Sequence, residues 1–238
     1  MSGHSKWANI KHRKSAQDAK KGKVFTRIGK EITIAAKEGG GNPDANFRLR
    51  TIIDKAREAN MPADNIQRSI KRGTGELPGV SYEEQLYEGY GPESVAVLVA
   101  CVTDNKNRTV AEVRRVFNNN GGNLAEAGAV SWMFEKKGVI RINAGGLTED
   151  DLLEQLIDFG IDDIDVDDDI ATITVNPKQL EQVKKVLADS GHKIESAELE
   201  FVAKNSMGLS EDKEKKVFDF LEKLEDLDDV QNVYTNLK

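Results

Sequence analysis

The chain has 238 residues, enough for one or two domains with a proper core, and its single cysteine rules out a disulfide scaffold. The net charge of −7 hides a division: residues 1–75 hold 17 Lys/Arg against 7 Asp/Glu, and the remaining 163 hold 17 against 34. No stretch approaches the roughly 20 apolar residues that span a bilayer, and the start MSGHSKW lacks an apolar h-region, so a cytoplasmic chain with no membrane partner is expected.

The first segment, Gly3 to Lys14, carries Lys6, Trp7, Lys11, His12, Arg13 and Lys14 with almost no apolar periodicity. It cannot offset its ordering entropy by core burial, but neutralising phosphates and releasing counterions can do so. Trp7 either stacks on an exposed base or anchors the arm against the helical bundle.

Three helical patterns come next. From roughly Ser15 to Glu38, Val24, Phe25, Ile28, Ile32, Ala35 and Ala36 fall in one arc, with Lys20, Lys23, Arg27, Lys30 and Lys37 opposite. One face is expected to pack and the other to present cations. Gly39-Gly40-Gly41 ends this helix, Asn42 is the expected cap of the next, and Leu49, Ile52, Ile53 and Ala56 form its stripe. The third opens near Pro62, turns Ile66 and Ile70 inward and stops at Gly73, with Arg68, Lys71 and Arg72 on its outer face. These stripes make residues 1–78 a basic three-helix bundle. Solvated faces usually mix both signs, whereas here acids are scarce, with Asp18 and Glu31 nearby and Asp64 placed to pair with Arg68. The cations Lys20, Lys23, Arg27, Lys30, Arg68, Lys71 and Arg72 are therefore expected to contact nucleic acid.

Past the Gly/Pro-rich linker 73–81 the period changes. Strands are expected at Glu83–Tyr87, Val95–Val102 and Ala129–Phe134, and a helix at Thr109–Asn118 opened by a Thr109/Glu112 capping box. Next come strand Val139–Ile142, helix Thr148–Phe159, strands Asp163–Val166 and Ile170–Val175, helix Pro177–Ser190 and strand Lys193–Val202. That order, βαββαβ, is the ferredoxin-like pattern. A helix at Glu211–Leu224 and a strand at Val230–Tyr234 cannot bury their apolar faces alone and are expected to complete the earlier sheet. The fold class is α+β and multidomain: a bundle (1–78), a discontinuous α+β domain (79–134 plus 204–238) and an inserted ferredoxin-like domain (135–203).

The loop 103–109 joins a strand to a helix N-terminus, where backbone N–H groups favour an anion, so Asn105, Asn107 and Arg108 form a secondary anion-binding candidate beside ordinary capping. Catalytic and metal signatures are missing. Gly3-His4-Ser5-Lys6-Trp7 lacks the closing glycine of a nucleophile elbow, and no Walker A or GxGxxG string occurs. His4, His12, His192 and Cys101 show no metal-ligand spacing. The acidic run 162–169 has no loop glycine and holds Thr174 where a calcium loop needs Glu, which leaves a solvated hairpin. No cofactor, metal or small-molecule substrate is expected.

The strings GHSKWANIKHRK (3–14), KEITIAAKEGGGNP (30–43), NFRLR (46–50), NIQRSIKRGTG (65–75), YEGYGP (87–92), TDNKNRTVAEVRRVF (103–117), GGNL (121–124), FEKKGVI (134–140) and DDVQNVYTN (228–236) resemble the YebC/PmpR family through nearly the whole chain. The resemblance implies the same three-domain layout and a DNA-binding transcriptional regulator; a mitochondrial relative acts as a translational activator. Glu93-Ser94 and Ala125 stand where many relatives have glycine. Two functions stay open, a DNA-binding regulator and a ribosome-associated factor that grips rRNA. Asn65 and Gln67 are the main groups on the third helix able to read base edges, so weak sequence specificity is expected. The chain is expected to be monomeric and not an enzyme.

Overall fold

The structure is a computed structural model in which residues 21–167 and 169–238 are described. In chain order the elements are α1 (Lys21–Gly39), α2 (Phe47–Glu58), α3 (Ala63–Gly73), β1 (Glu83–Tyr90), β2 (Ala96–Thr103), α4 (Lys106–Asn119) and β3 (Asn123–Ala125). They continue with β4 (Phe134–Asn143), α5 (Glu149–Leu156), β5 (Ile161–Asp167), β6 (Ile170–Val175), α6 (Leu180–Asp189), β7 (Ile194–Ala203), α7 (Glu211–Glu225) and β8 (Val230–Thr235).

The three leading helices share one core, in which Ile28, Ile32, Leu49, Ile53, Ile66 and Ile70 are buried together. The stripe read at helical spacing is the one that packs. Gly73 sets the closest approach: a Cβ there would stand 2.4 Å from the Thr33 carbonyl oxygen, so α3 lies tight against α1. The cap of α2 is Asn46, not Asn42. Its side-chain oxygen accepts the Leu49 N–H at 3.0 Å, while its amide donates to the Ala35 and Gly40 carbonyls at 2.7 and 2.8 Å. One buried side chain thereby satisfies the end of α1 and the start of α2. Asn42 is occupied earlier in the turn, accepting the Asp44 N–H.

The second core lies under an antiparallel sheet of order β3-β1-β2-β8. Helices α4 and α7 cover one face, burying Val97, Val99, Val113, Phe117, Phe220 and Leu224, with Phe117 and Phe220 edge to face at 5.0 Å. The strand β8 pairs with β2, so the last helix and strand do complete the earlier sheet. The third core belongs to an antiparallel sheet of order β5-β6-β4-β7, backed by α5 and α6 through Ile140, Ile142, Leu152, Leu156, Ile173 and Leu187. This βαββαβ unit is ferredoxin-like and is inserted between β3 and α7.

Two further expectations fail locally. Residues 129–133 are not a strand; a 3₁₀ turn, Ser131–Met133, precedes β4. The buried carboxylate of Glu88 takes the N–H groups of Gly128, Val130 and Ser131 at 2.9, 2.9 and 2.8 Å, which withdraws them from any ladder. Likewise α4 starts at Lys106, capped by Asn105, which accepts the Arg108 N–H at 3.1 Å, and Thr109 lies inside the helix rather than at its cap.

At the turn between β1 and β2, Glu93 and Ser94 hold φ of 59° and 61°. That left-handed region costs a side chain about 1–2 kcal/mol and costs glycine nothing, a physical reason for glycine at these positions. Glu93 is partly compensated by an ion pair with Lys213 at 2.7 Å.

Candidate nucleic-acid interface

Arg68, Lys71 and Arg72 stand at i, i+3 and i+4 on α3 and are exposed. None of them forms an ion pair among the described residues, and the expected Asp64–Arg68 pair does not form. The buried partners Ile66, Ser69 and Ile70 fix the opposite face of α3 to α1, so this row of cations is held outward by packing. Arg50 of α2 is also exposed and lies 5.5 Å from the Phe47 ring centroid, a cation–π pair. The string NFRLR contains both residues, but a sequence shows no ring stacking.

The cationic arc of α1 behaves differently. Lys23 donates to the Asp226 carbonyl at 2.5 Å and meets its carboxylate at 3.3 Å. Arg27 donates to the Glu225 carbonyl, and Lys37 to the Ser81 hydroxyl at 2.9 Å. Glu225 and Asp226 close α7, where unpaired carbonyls and the helix dipole attract cations. Lys30 is buried and reaches the Asp228 carbonyl at 3.0 Å and the Asp229 carboxylate at 2.8 Å. The expectation that Lys23, Arg27 and Lys30 present charge to solvent is therefore corrected: they bind the bundle to the second unit.

Asp229 is the node of that contact. Only 3% exposed, its carboxylate also accepts from the hydroxyls of Thr103 at 3.0 Å and Thr109 at 2.7 Å and from Arg108 Nη2 at 2.7 Å. Burial opposes its charge, but the hydrogen bonds from Lys30, Arg108 and Thr109 outweigh that and hold the carboxyl well below the usual Asp range. Arg108, bonded to Asp229 and to Asp104 at 2.7 Å, is raised in turn. Two of the three secondary candidates, Asn105 and Arg108, are thus engaged in capping and in this node. Asn107 is exposed and makes no side-chain bond among the described residues.

Lys6, Trp7, Lys11, His12, Arg13, Lys14 and Lys20 lie outside the described residues. Cys101 is buried on β2, and burial with the nearby Asp229 pushes its thiol up to about 12, the behaviour of a small core residue. Among the described residues no cluster of three His, Cys, Asp or Glu side chains is placed to hold a metal ion, and no helix is long and apolar enough to cross a membrane.

Two family models match the chain: the TACO1/YebC protein N-terminal domain over residues 5–76 and the TACO1/YebC second and third domain over residues 82–237. A protein of Dictyoglomus turgidum named "Probable transcriptional regulatory protein" is 54% identical over 99% of this chain and 95% of its own. One of Thermotoga maritima with the same name is 52% identical over 100% and 94%. The crystal structure of a conserved hypothetical protein from Aquifex aeolicus superposes with a TM-score of 0.85 at 44% identity, covering 93% of this chain and 91% of that one.

Proposed function

Because the chain belongs to the TACO1/YebC family, whose relatives in Dictyoglomus turgidum and Thermotoga maritima are named "Probable transcriptional regulatory protein", we propose that it is a non-enzymatic regulator of gene expression that binds duplex DNA through its N-terminal bundle. The observation that carries this reading is the row Arg68, Lys71 and Arg72, held outward on α3 with no acidic partner among the described residues. Phosphate neutralisation by such a row supplies affinity without sequence information, and Gln67, exposed beside it, adds limited reading of base edges. The acidic remainder of the chain repels the phosphate backbone, which favours one orientation with the bundle against the duplex.

The test is fluorescence anisotropy of the full chain with a labelled duplex across a salt series. Replacing Arg68, Lys71 and Arg72 together by Ala is expected to weaken binding and to reduce the salt slope by about 2–3, one phosphate contact per lost cation. An unchanged slope refutes the role of α3. A strong preference for an RNA hairpin over the DNA duplex overturns the DNA assignment and places the protein on the translational side.

A further inference from the structure

Between α1 and α3 lies a cleft of about 240 Å³, lined among others by Phe25, Asn65, Arg68, Ser69, Arg72 and the linker residue Tyr82. Gly29 keeps it open on the α1 side: a Cβ there would stand 3.2 Å from the Ser69 hydroxyl oxygen. The composition of the wall is unusual for a groove between two packed helices. It joins two exposed guanidiniums one helical turn apart, two aromatic side chains and two neutral polar groups. The Ser69 carbonyl accepts the Thr33 hydroxyl at 3.2 Å, yet the Ser69 hydroxyl and the Asn65 amide have no hydrogen-bond partner among the described residues.

Each part selects a ligand feature. Guanidiniums at i and i+4 match a phosphate, which Arg recognises bidentately. Aromatic side chains offer a face to any base, and an amide with a hydroxyl supplies both donors and acceptors for a base edge. A bare phosphate site needs no rings, and an apolar peptide segment needs no guanidinium pair. The volume is below the roughly 300–1,000 Å³ of ordinary ligand pockets and suits a single base rather than a large cofactor.

We infer that this cleft receives one unstacked nucleotide of the bound nucleic acid, with its phosphate on Arg68 and Arg72 and its base beside Phe25 and Tyr82, hydrogen-bonded to Asn65 and Ser69. The inference rests on the nucleic-acid reading above and adds a preference for a splayed-out base. Lys30 also lines the cleft; its ammonium is held by Asp229 at 2.8 Å and lies 5.8 Å from the Tyr82 ring centroid, where it helps to fix that ring.

The experiment compares three duplexes with the full chain: fully paired, with one unpaired adenine, and with an unpaired abasic residue at the same place. The last two have the same backbone charge, so their ratio isolates the base. The adenine bulge is expected to bind about tenfold more tightly than the abasic bulge, the scale of one aromatic stack. Tyr82→Leu is expected to bring that ratio close to one while leaving the paired duplex bound as before, which also reports an intact fold, and Asn65→Leu is expected to bring the ratio close to one as well. Equal affinity for the two bulges, or a ratio untouched by both variants, overturns the inference and leaves the duplex reading standing. Failure to bind any duplex overturns both. Free adenosine monophosphate that displaces no bulged strand is the expected control, whereas saturation by it without any base effect in the strands assigns the cleft to free nucleotides and overturns the inference.

Discussion

Replacing Asp229 by Asn removes the one full negative charge that faces Lys30, Arg108, Thr103 and Thr109 together. Lys30 is 8% exposed, and without the carboxylate's charge its ammonium keeps neutral partners, the Asp228 carbonyl at 3.0 Å, the Val102 carbonyl at 3.4 Å and the Tyr82 ring with its centroid at 5.8 Å. Breaking a buried ion pair from one side costs about 3–5 kcal/mol, because the surviving charge is uncompensated. The Arg108 side chain is 44% exposed and regains water, so its share is small. Lys30 is on α1 and Asp229 just before β8, so the loss falls on the docking of the bundle to the second unit. Urea unfolding of the full chain measures it. Adding Lys30→Met removes the stranded ammonium and is expected to recover about 1–3 kcal/mol of the loss. The pH dependence has a definite sign: the folded carboxyl sits below the unfolded value of about 3.9, so its stabilisation is present above that pH and fades as pH falls toward the folded pKa. A single-variant loss under about 1 kcal/mol, or strictly additive effects in the double variant, would refute the reasoning.

Glu88→Gln is expected to cost about 1–3 kcal/mol, since a neutral amide cannot accept three backbone N–H groups as a carboxylate does; amide exchange at Gly128, Val130 and Ser131 is the direct readout, and unchanged protection at all three contradicts it. Burial raises the Glu88 pKa but those N–H groups outweigh it and hold the carboxyl below its ordinary value, so this contribution is fully present above about pH 4.3 and fades as pH falls from there through the folded pKa. Ser94→Gly is expected to stabilise by about 0.5–1 kcal/mol in thermal unfolding, because relief of the left-handed φ exceeds the added entropy of the unfolded chain; a lower midpoint counts against strain there.

Strong periodicity made most of the architecture readable. The stripe Leu49, Ile52, Ile53 and Ala56 states its own burial, and the order βαββαβ leaves few arrangements; β6 is buried on both faces from Ala171 to Val175, which its alternating Thr172 and Thr174 do not announce. The misreadings share a cause, a partner distant in sequence. Lys23 and Arg27 have the same helical spacing whether they meet phosphate or the end of α7, and their actual partners lie 203 and 198 residues away. Residues 129–133 carry strand-like composition, but Glu88 had claimed their N–H groups from 40 or more positions upstream. The three residues of β3 were too few to show alternation. At the candidate interface, the row on α3 was legible as an amphipathic face, while the cleft beside it needed Tyr82 and Asn65 to be brought together by the fold.

The charge division of the chain therefore has two physical consequences rather than one. Part of the basic head is matched to the acidic body: Lys23, Arg27 and Lys30 to the end of α7 and Asp229, Arg48 to Glu84, and Lys55 to Glu198 at 3.1 Å. Burial opposes the charge on Lys55, but Glu198 and Glu31 raise its pKa above the ordinary value, so it remains an ammonium held between units. These contacts orient the bundle, and that orientation turns α3 outward. A polyanion approaching from the α7 side meets carboxylates and cations already engaged; from the α3 side it meets Arg68, Lys71 and Arg72. On the proposed reading, binding depends on which cations the body leaves unmatched, and the total positive charge of the head overstates the surface offered to phosphate.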